Sequence, residues 1–124
     1  MKIGNDIVRV SRMHTIYTNK RLMDRMFTPL EQEYINMAND DALKYERMAG
    51  KVAIKEAVAK AFGVGIAKEL SWLDIQTSHN EQHKPIVLCT TQIDKLLHQY
   101  DLTSIDVSVS HMDDYATAVC IIYK

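Results

Sequence analysis

Three short segments contain polar residues whose types and positions favour chemistry. Asp6 stands early in an otherwise apolar segment, where a carboxylate is costly unless it is paired with a cation or bound to a metal ion. Glu56 and Lys60 are four residues apart in a predicted helix and share one face beside its apolar stripe, although a surface ion pair has the same spacing. His111 ends the segment Ser108 to His111, where an ordinary turn residue would also fit. Asp6 therefore predicts an ion pair or a metal site.

Five strands are expected to position these segments. They are residues 2–8, 72–78, 84–89, 105–110 and 115–122. In the fourth strand Ile105, Val107 and Val109 alternate with polar residues, which is typical of a half-buried strand. The segment from His111 to Asp114 is predicted to form a tight turn before the last strand.

Four helices are predicted between the strands. They cover residues 9–17, 28–37, 40–62 and 91–100, the last of them capped by Thr91 and Asp94. Thr28, Pro29 and Glu31 form a capping box with proline at the first helical position. Gly63 and Gly65 are expected to end the longest helix. The fold class is therefore α+β, a single domain over residues 1–124 with helices packed on a small, mostly antiparallel sheet.

Composition excludes several other classes of protein. The chain has 124 residues, of which 47% are apolar and 25% charged, as in an ordinary globular protein. The longest apolar run, Ala118 to Tyr123, is too short to cross a bilayer, and residues 1–6 contain no apolar signal segment, so we expect a cytoplasmic protein without membrane contact. Cys89 and Cys120 lie far apart and are expected to be reduced, buried thiols. His79 and His83 lack the neighbouring ligands that a zinc site requires.

The charges are distributed unevenly along the chain. The net charge is −1, yet residues 1–25 contain six basic and two acidic residues, a net charge of +4. This pattern indicates either an acidic partner that docks at the N-terminal quarter or an ordinary solvated helix face. A nucleic-acid-binding module would be basic throughout, so we expect no nucleic-acid partner.

Taken together and in this order, the motifs closely resemble the holo-acyl-carrier-protein synthase family, the short class of 4′-phosphopantetheinyl transferases. The central motif, Ala49 to Gly65, reads Ala-Gly-Lys-Val-Ala-Ile-Lys-Glu-Ala-Val-Ala-Lys-Ala-Phe-Gly-Val-Gly. The other matching motifs are Gly4 with Asp6, Leu70 to Ile75, Lys84 with Pro85, and Ser108 to His111. The resemblance covers essentially the whole chain, and it implies transfer of phosphopantetheine from coenzyme A to a serine of an acyl carrier protein, with release of 3′,5′-ADP.

The resemblance also implies a metal ion and an assembly. Asp6 and Glu56 would hold Mg²⁺, which prefers one or two carboxylates together with substrate phosphates and waters. Glu56 and Lys60 are the expected catalytic residues, with Lys60 reaching the same phosphates. The proton of the carrier serine would go to a metal-bound water or to a carboxylate such as Glu56. Coenzyme A would bind at the subunit interfaces of a homotrimer.

Two further sets of residues follow from the resemblance. The expected coenzyme A contacts are Lys44, Lys51, Lys60, Gly63, Gly65, Lys84, Pro85 and His111. The expected carrier-binding residues are Arg12, Lys20, Arg21 and Arg25, because carrier proteins are acidic around the serine that is modified.

The chain departs from the family pattern around the expected nucleotide site. The departures are Lys2, Asn5, Val64 in place of threonine, His83 in place of glycine, and Met112 in place of threonine. Asp6, Glu56 and Lys60 are retained, so we expect a working transferase with altered coenzyme A contacts. The alternative is a catalytically silent trimer that binds coenzyme A or carrier protein without turnover.

Overall fold

The helix α4 (Asp41–Phe62) is the element on which the rest of the fold packs. Asp40 caps its first turn by accepting a hydrogen bond from the backbone N–H of Leu43 at 2.8 Å, and Gly63 ends it in the left-handed conformation, with φ of 75°. Its middle is buried on most sides, because alanine and valine at close spacing allow both a sheet and shorter helices to approach.

The computed structural model describes all 124 residues. The other helices are α1 (Met13–Tyr17), α2 (Lys20–Met26), α3 (Pro29–Asn36) and α5 (Thr91–Gln99). The strands are β1 (Lys2–Arg9), β2 (Gln76–His79), β3 (Pro85–Leu88), β4 (Ser104–Met112) and β5 (Tyr115–Tyr123). Short 3₁₀ turns occupy Val10–Arg12 and Trp72–Asp74. None of the helices combines the length and the apolar character that crossing a membrane requires.

Strands β1, β5 and β4 form an antiparallel sheet in that order, and β2 pairs with β3 in a separate hairpin. In β1 every second side chain faces α4, so Gly4 and Val8 are buried whereas Ile3 and Ile7 face away from the helix. Asp6 lies on the buried side, opposite Ala118 of β5. The α+β class with a mostly antiparallel sheet is confirmed.

Gly4 is needed because α4 lies directly against β1. A Cβ atom at this position would lie 2.2 Å from the carbonyl oxygen of Ala57 and 2.5 Å from the backbone nitrogen of Ala61. Both obstacles are helix backbone, which cannot rotate away. We therefore expect Gly4→Ala to destabilise the protein by about 1–3 kcal/mol through overpacking. Urea denaturation measures this, and an unchanged midpoint would contradict the close approach.

The sequence-based boundaries are wrong at four places. Residue 9 belongs to β1 rather than to a helix, because Arg9 pairs with Tyr115 and the Val10 N–H donates to the Asp114 carbonyl at 2.8 Å. The helix α2 was not predicted, although Asn19 caps it by accepting from the Leu22 N–H at 3.2 Å.

The other two corrections concern residues 72–78 and the turn at 111–114. The first begins as a 3₁₀ turn, with strand only from Gln76. His111 lies inside β4, which pairs with β5 as far as Met112, so the turn is confined to residues 113–114. In addition, Thr90 rather than Thr91 caps α5, accepting from the Ile93 N–H at 3.3 Å. Cys120 is buried as expected, but Cys89 is exposed.

Candidate active site

Asp6, Glu56 and Lys60 come together where β1 crosses α4. The Nζ atom of Lys60 lies 2.8 Å from Oδ1 of Asp6, so the buried side of β1 and one face of α4 share an ion pair. The Asp6 side chain is 15% exposed and that of Lys60 is 55% exposed, which places the pair at the edge of the core, within reach of a ligand. The structure therefore places all three residues in one group.

Electrostatics couple the three side chains. Partial burial raises the pKa of Glu56, and the neighbouring Asp6 carboxylate raises it further, against the opposing effect of Lys60. The hydrogen bond to Asp6 raises the pKa of Lys60. Two carboxylates that repel one another and one ammonium make a site whose charges are best satisfied by an added cation.

The donor set fits a hard divalent cation that is completed by ligand oxygens. Asp6 and Glu56 supply two carboxylates, and no group of three or more histidine, cysteine or acidic residues gathers anywhere in the chain. Mg²⁺ is commonly held by one or two carboxylates, with substrate phosphates and waters in the remaining positions. A zinc or calcium cage made only of protein atoms would need more ligands.

A second group of polar residues lines a cavity of about 310 Å³ between α4, β2 and β4. It contains four residues that are cationic or can become so, namely Arg47, Lys51, His79 and His111. Its only acidic lining residue is Glu46. Pro85 and Val109 give the wall an apolar portion. Such a cavity suits an anionic ligand that also carries a flat or apolar part.

Three of the expected coenzyme A contacts, Lys51, Pro85 and His111, line this cavity. The Nε2 atom of His111 lies 3.2 Å from the Glu46 carbonyl oxygen, so the imidazole is held against α4. A Cβ atom at Gly50 would lie 3.4 Å from this ring, so the imidazole packs close to the backbone of α4.

The remaining expected contacts lie outside both groups. Lys44 donates to the Tyr17 hydroxyl at 3.3 Å, and Lys84 donates to Asp106 at 2.9 Å, so both lysines already have partners on the surface of the chain. Gly63 is the C-cap of α4, and Gly65 follows it without a left-handed φ. His83 stands where the family pattern has glycine. Its φ of 64° lies in the left-handed region, which glycine adopts without strain, so the backbone conformation explains the glycine of the family.

The expected carrier-binding residues are exposed on α2 and on the 3₁₀ turn that precedes α1. Arg12 lies in the 3₁₀ turn after β1, and it makes no salt bridge. Lys20 pairs with Asp24 at 3.2 Å, and Arg21 and Arg25 are exposed on the same short helix.

Sequence reasoning missed Arg47, His79 and Tyr34 at the cavity. The guanidinium of Arg47 lies 4.3 Å from the centre of the Tyr34 ring and donates to the Tyr34 carbonyl at 2.7 Å. The His79 ring also packs against this tyrosine, with the ring centres 4.4 Å apart. The only signal was that Arg47 shares a face of α4 with Lys51, four residues later. His79 was considered only as a zinc ligand.

Comparison with known proteins assigns the family. The family model of the 4′-phosphopantetheinyl transferase superfamily matches residues 2–120. The chain belongs to this superfamily. It is 39% identical to the holo-[acyl-carrier-protein] synthase of Campylobacter lari over 98% of both chains, and 35% identical to that of Bacillus velezensis over 98% of this chain and 94% of the relative.

Solved structures of superfamily members agree with the fold. The holo-[acyl-carrier-protein] synthase of Helicobacter pylori, in complex with coenzyme A, matches with a TM-score of 0.79 and 31% identity over 97% of this chain and 98% of that one. The Bacillus anthracis enzyme, in complex with coenzyme A (3′,5′-ADP), matches with a TM-score of 0.79 and 30% identity, over 98% and 94%. The resemblance drawn from the sequence is therefore confirmed.

Proposed function

We propose that this protein is a holo-[acyl-carrier-protein] synthase, which transfers 4′-phosphopantetheine from coenzyme A to a serine of an apo acyl carrier protein and releases 3′,5′-ADP. The observation that carries this proposal is similarity over nearly the whole chain to enzymes of that name, in a chain whose Asp6, Glu56 and Lys60 form one group. A cytoplasmic location is part of the same proposal.

Asp6 and Glu56 would hold Mg²⁺, whose chemistry when bound is to neutralise the pyrophosphate of coenzyme A. The chain's own residues would orient the substrates and stabilise the charge that develops on the leaving group. The serine oxygen of the carrier bonds to the β-phosphorus as its proton passes to a base, either a water or a carboxylate such as Glu56. The bond from that phosphorus to the bridging oxygen breaks, and 3′,5′-ADP leaves with the electron pair. Lys60 remains protonated beside Asp6 and offers its charge to the leaving phosphate.

A homotrimer with shared sites agrees with the placement of the two groups of residues. Lys51 precedes Glu56 by five residues, which turns the two side chains about 140° apart around the axis of α4. One coenzyme A molecule could contact both groups if neighbouring subunits contributed one group each. The face of the sheet that is turned away from α4 also exposes Ile3 (69%), Ile7 (63%) and Met112 (76%), which favours burial against another copy.

We therefore expect Ile7→Lys to break the trimer and to abolish transfer, because it would bury an unpaired charge at the interface. The molar mass in solution, measured by light scattering, should fall to that of one chain. Leu73→Lys is the matched control, since Leu73 is 42% exposed in the 3₁₀ turn before β2, away from the sheet. A trimer that persists in Ile7→Lys would contradict the proposed interface.

The basic N-terminal quarter is proposed as the docking surface for the carrier, through Arg12, Lys20, Arg21 and Arg25. We expect Arg12→Glu to raise the KM for carrier protein about tenfold while the KM for coenzyme A stays constant, because exposed charges mainly govern encounter between the proteins. Steady-state kinetics at several salt concentrations measure this. Lys95→Glu, at an exposed position of α5, is the control. An unchanged KM for carrier would contradict the docking surface.

The direct test of function is the mass of the carrier. Purified protein, coenzyme A, Mg²⁺ and an apo acyl carrier protein from the same organism are mixed, and the carrier is weighed by intact mass spectrometry. We expect the carrier to gain the mass of one phosphopantetheine, and we expect no gain when a chelator is present. Failure to modify that carrier or any other apo carrier, together with tight binding of coenzyme A, would support the silent trimer instead.

A further inference from the structure

The short 3₁₀ turn Val10–Arg12, which follows β1, has no cap of its own. The side chain of its N-cap residue, Arg9, makes no capping hydrogen bond, and none of its three residues is buried. Arg12, the last of them, makes no salt bridge. A helical turn begins with backbone N–H groups that have no partner inside the turn. The position of Arg12 therefore depends on what binds the backbone directly before it.

Asp114 supplies the missing cap from 103 residues along the chain from Ser11. The carbonyl oxygen of Asp114 accepts from the Val10 N–H at 2.8 Å, and its Oδ1 accepts from the Ser11 N–H at 2.9 Å. Its Oδ2 accepts from the Ser11 hydroxyl at 2.6 Å. Hydrogen bonds to an ionised carboxylate are shorter and stronger than those between neutral groups. Three acceptor atoms of one residue thus hold the two residues that precede Arg12.

The half-buried Asp114 is itself fixed by the sheet. It belongs to the two-residue turn that joins β4 to β5, and β5 continues by pairing with β1, where Tyr115 lies opposite Arg9. The guanidinium of Arg9 also lies 5.2 Å from the centre of the Tyr115 ring. The same hairpin therefore fixes the end of β1, the strand that carries Asp6, and the start of the turn that carries Arg12.

We propose that Asp114 is a positioning residue for the carrier protein, because it holds the turn in which Arg12 is presented to the acidic surface of the carrier. The inference rests on the proposed function and on its docking surface. If the turn were held only part of the time, the apparent affinity for carrier would fall by that fraction. A carrier that has docked would still meet an intact group of Asp6, Glu56 and Lys60, so kcat should not change.

The charge of Asp114 and its hydrogen bonds have opposite effects on an acidic partner. A carboxylate beside the docking surface repels a carrier that is acidic around its serine, so removal of the charge alone should strengthen binding. Loss of the cap should weaken binding. Asparagine separates the two effects, because its amide oxygen can accept from the Ser11 N–H while its amide N–H donates to the Ser11 hydroxyl. It removes the charge and keeps the cap.

Steady-state kinetics of carrier modification, with carrier and coenzyme A varied separately, test the proposal. We expect Asp114→Ala to raise the KM for carrier about tenfold, at unchanged kcat and unchanged KM for coenzyme A, because two charge-assisted hydrogen bonds are lost. Asp114→Asn should have a KM for carrier at or below that of the wild type. Asp101→Asn is the matched control, since Asp101 is an exposed carboxylate that pairs with Lys124 at 2.8 Å, and it should behave as wild type.

Ser11→Ala tests the same contact from the other side. It removes only the hydroxyl bond, so the KM for carrier should rise about threefold. In the Asp114→Ala background the same substitution should have no further effect, because its partner is already absent. Hydrogen exchange of the free protein gives a readout without substrates. Peptides that cover residues 9–13 should exchange faster in Asp114→Ala, and as in wild type in Asp114→Asn and Asp101→Asn.

Four results would overturn the inference and leave the proposed function standing. They are an unchanged or lower KM for carrier in Asp114→Ala, an equal rise in its KM for coenzyme A, unchanged exchange of residues 9–13, and a fall in its molar mass by light scattering. The first would leave Asp114 only its charge, and the last would assign it to the assembly. A wild-type protein that modifies no apo carrier at all would overturn the proposed function and this inference with it.

Discussion

Glu56→Gln is expected to reduce phosphopantetheine transfer by about a thousandfold, because it removes one of the two carboxylates proposed to hold Mg²⁺ and with it charge stabilisation at the pyrophosphate. Intact-mass assays over a range of Mg²⁺ concentrations measure the effect. The loss should be in kcat and should not be recovered by excess Mg²⁺. Glu81→Gln, at an exposed acid in the turn between β2 and β3, is the matched control.

The same variant makes a prediction about the metal-free protein. The pKa of Glu56 is raised by burial and by Asp6, so the folded state favours the protonated acid. The contribution of Glu56 to stability is therefore lost as pH rises from below the ordinary glutamate range through the raised value. In chelator, Glu56→Gln should melt higher than wild type at pH 8 by about 2–4 °C, and at about the same temperature at pH 4.

Addition of Mg²⁺ should close this gap, since the cation relieves the repulsion between the carboxylates of the wild type and has little to bind in the variant. Full activity in Glu56→Gln would remove Glu56 from the site. Equal melting temperatures of the two metal-free proteins at pH 8 would show that the repulsion between Asp6 and Glu56 is relieved by other means.

The pairing of Asp6 with α4 could be predicted in part from the sequence. A carboxylate in an apolar strand demands a partner, and Lys60 now has its Nζ atom at 2.8 Å from that carboxylate. The spacing of Glu56 and Lys60 predicted that they share one face of α4, and Gly63 was predicted to end this helix. These features depend on local rules, namely the period of the helix, its caps and the cost of burying charge.

The cavity could not be predicted because it depends on contacts between distant segments. Arg47 and His79 come from distant segments, and both pack against Tyr34, which belongs to a third segment. The helix α2 was missed for a different reason. Its seven residues are mostly charged or methionine, and its cap at Asn19 is a weak signal without knowledge that Met23 and Met26 are buried.

The pair formed by Lys55 and Glu31 was also missed, although both residues stood in recognised motifs. Glu31 was interpreted only as the last member of a capping box, and Lys55 only as one residue of the central motif, without a role of its own. In the structure both side chains are fully buried, and the capping glutamate uses the same carboxylate to hold the lysine. Sequence spacing gives no indication of an interaction over 24 residues between two helices.

Lys55→Met is expected to destabilise the protein by about 3–5 kcal/mol, which is a large part of the total stability of a small domain. The Nζ atom of Lys55 donates to Glu31 at 2.7 Å, to the Met26 carbonyl at 2.8 Å and to the Trp72 carbonyl at 2.9 Å. Burial lowers the pKa of this lysine, against the opposing effect of Glu31. Methionine fills a similar volume but leaves the buried Glu31 carboxylate without its counter-charge and takes one donor away from each of the two carbonyl oxygens.

Urea denaturation measures the loss, and Lys20→Met is the matched control. Lys20 pairs with Asp24 at 3.2 Å on the surface, where its side chain is 87% exposed, so its removal should cost less than about 1 kcal/mol. The double variant Glu31→Met with Lys55→Met should be more stable than Lys55→Met alone, because it removes the orphaned charge. A single variant as stable as wild type, or a double variant that is less stable than Lys55→Met, would show that the lysine does not neutralise Glu31.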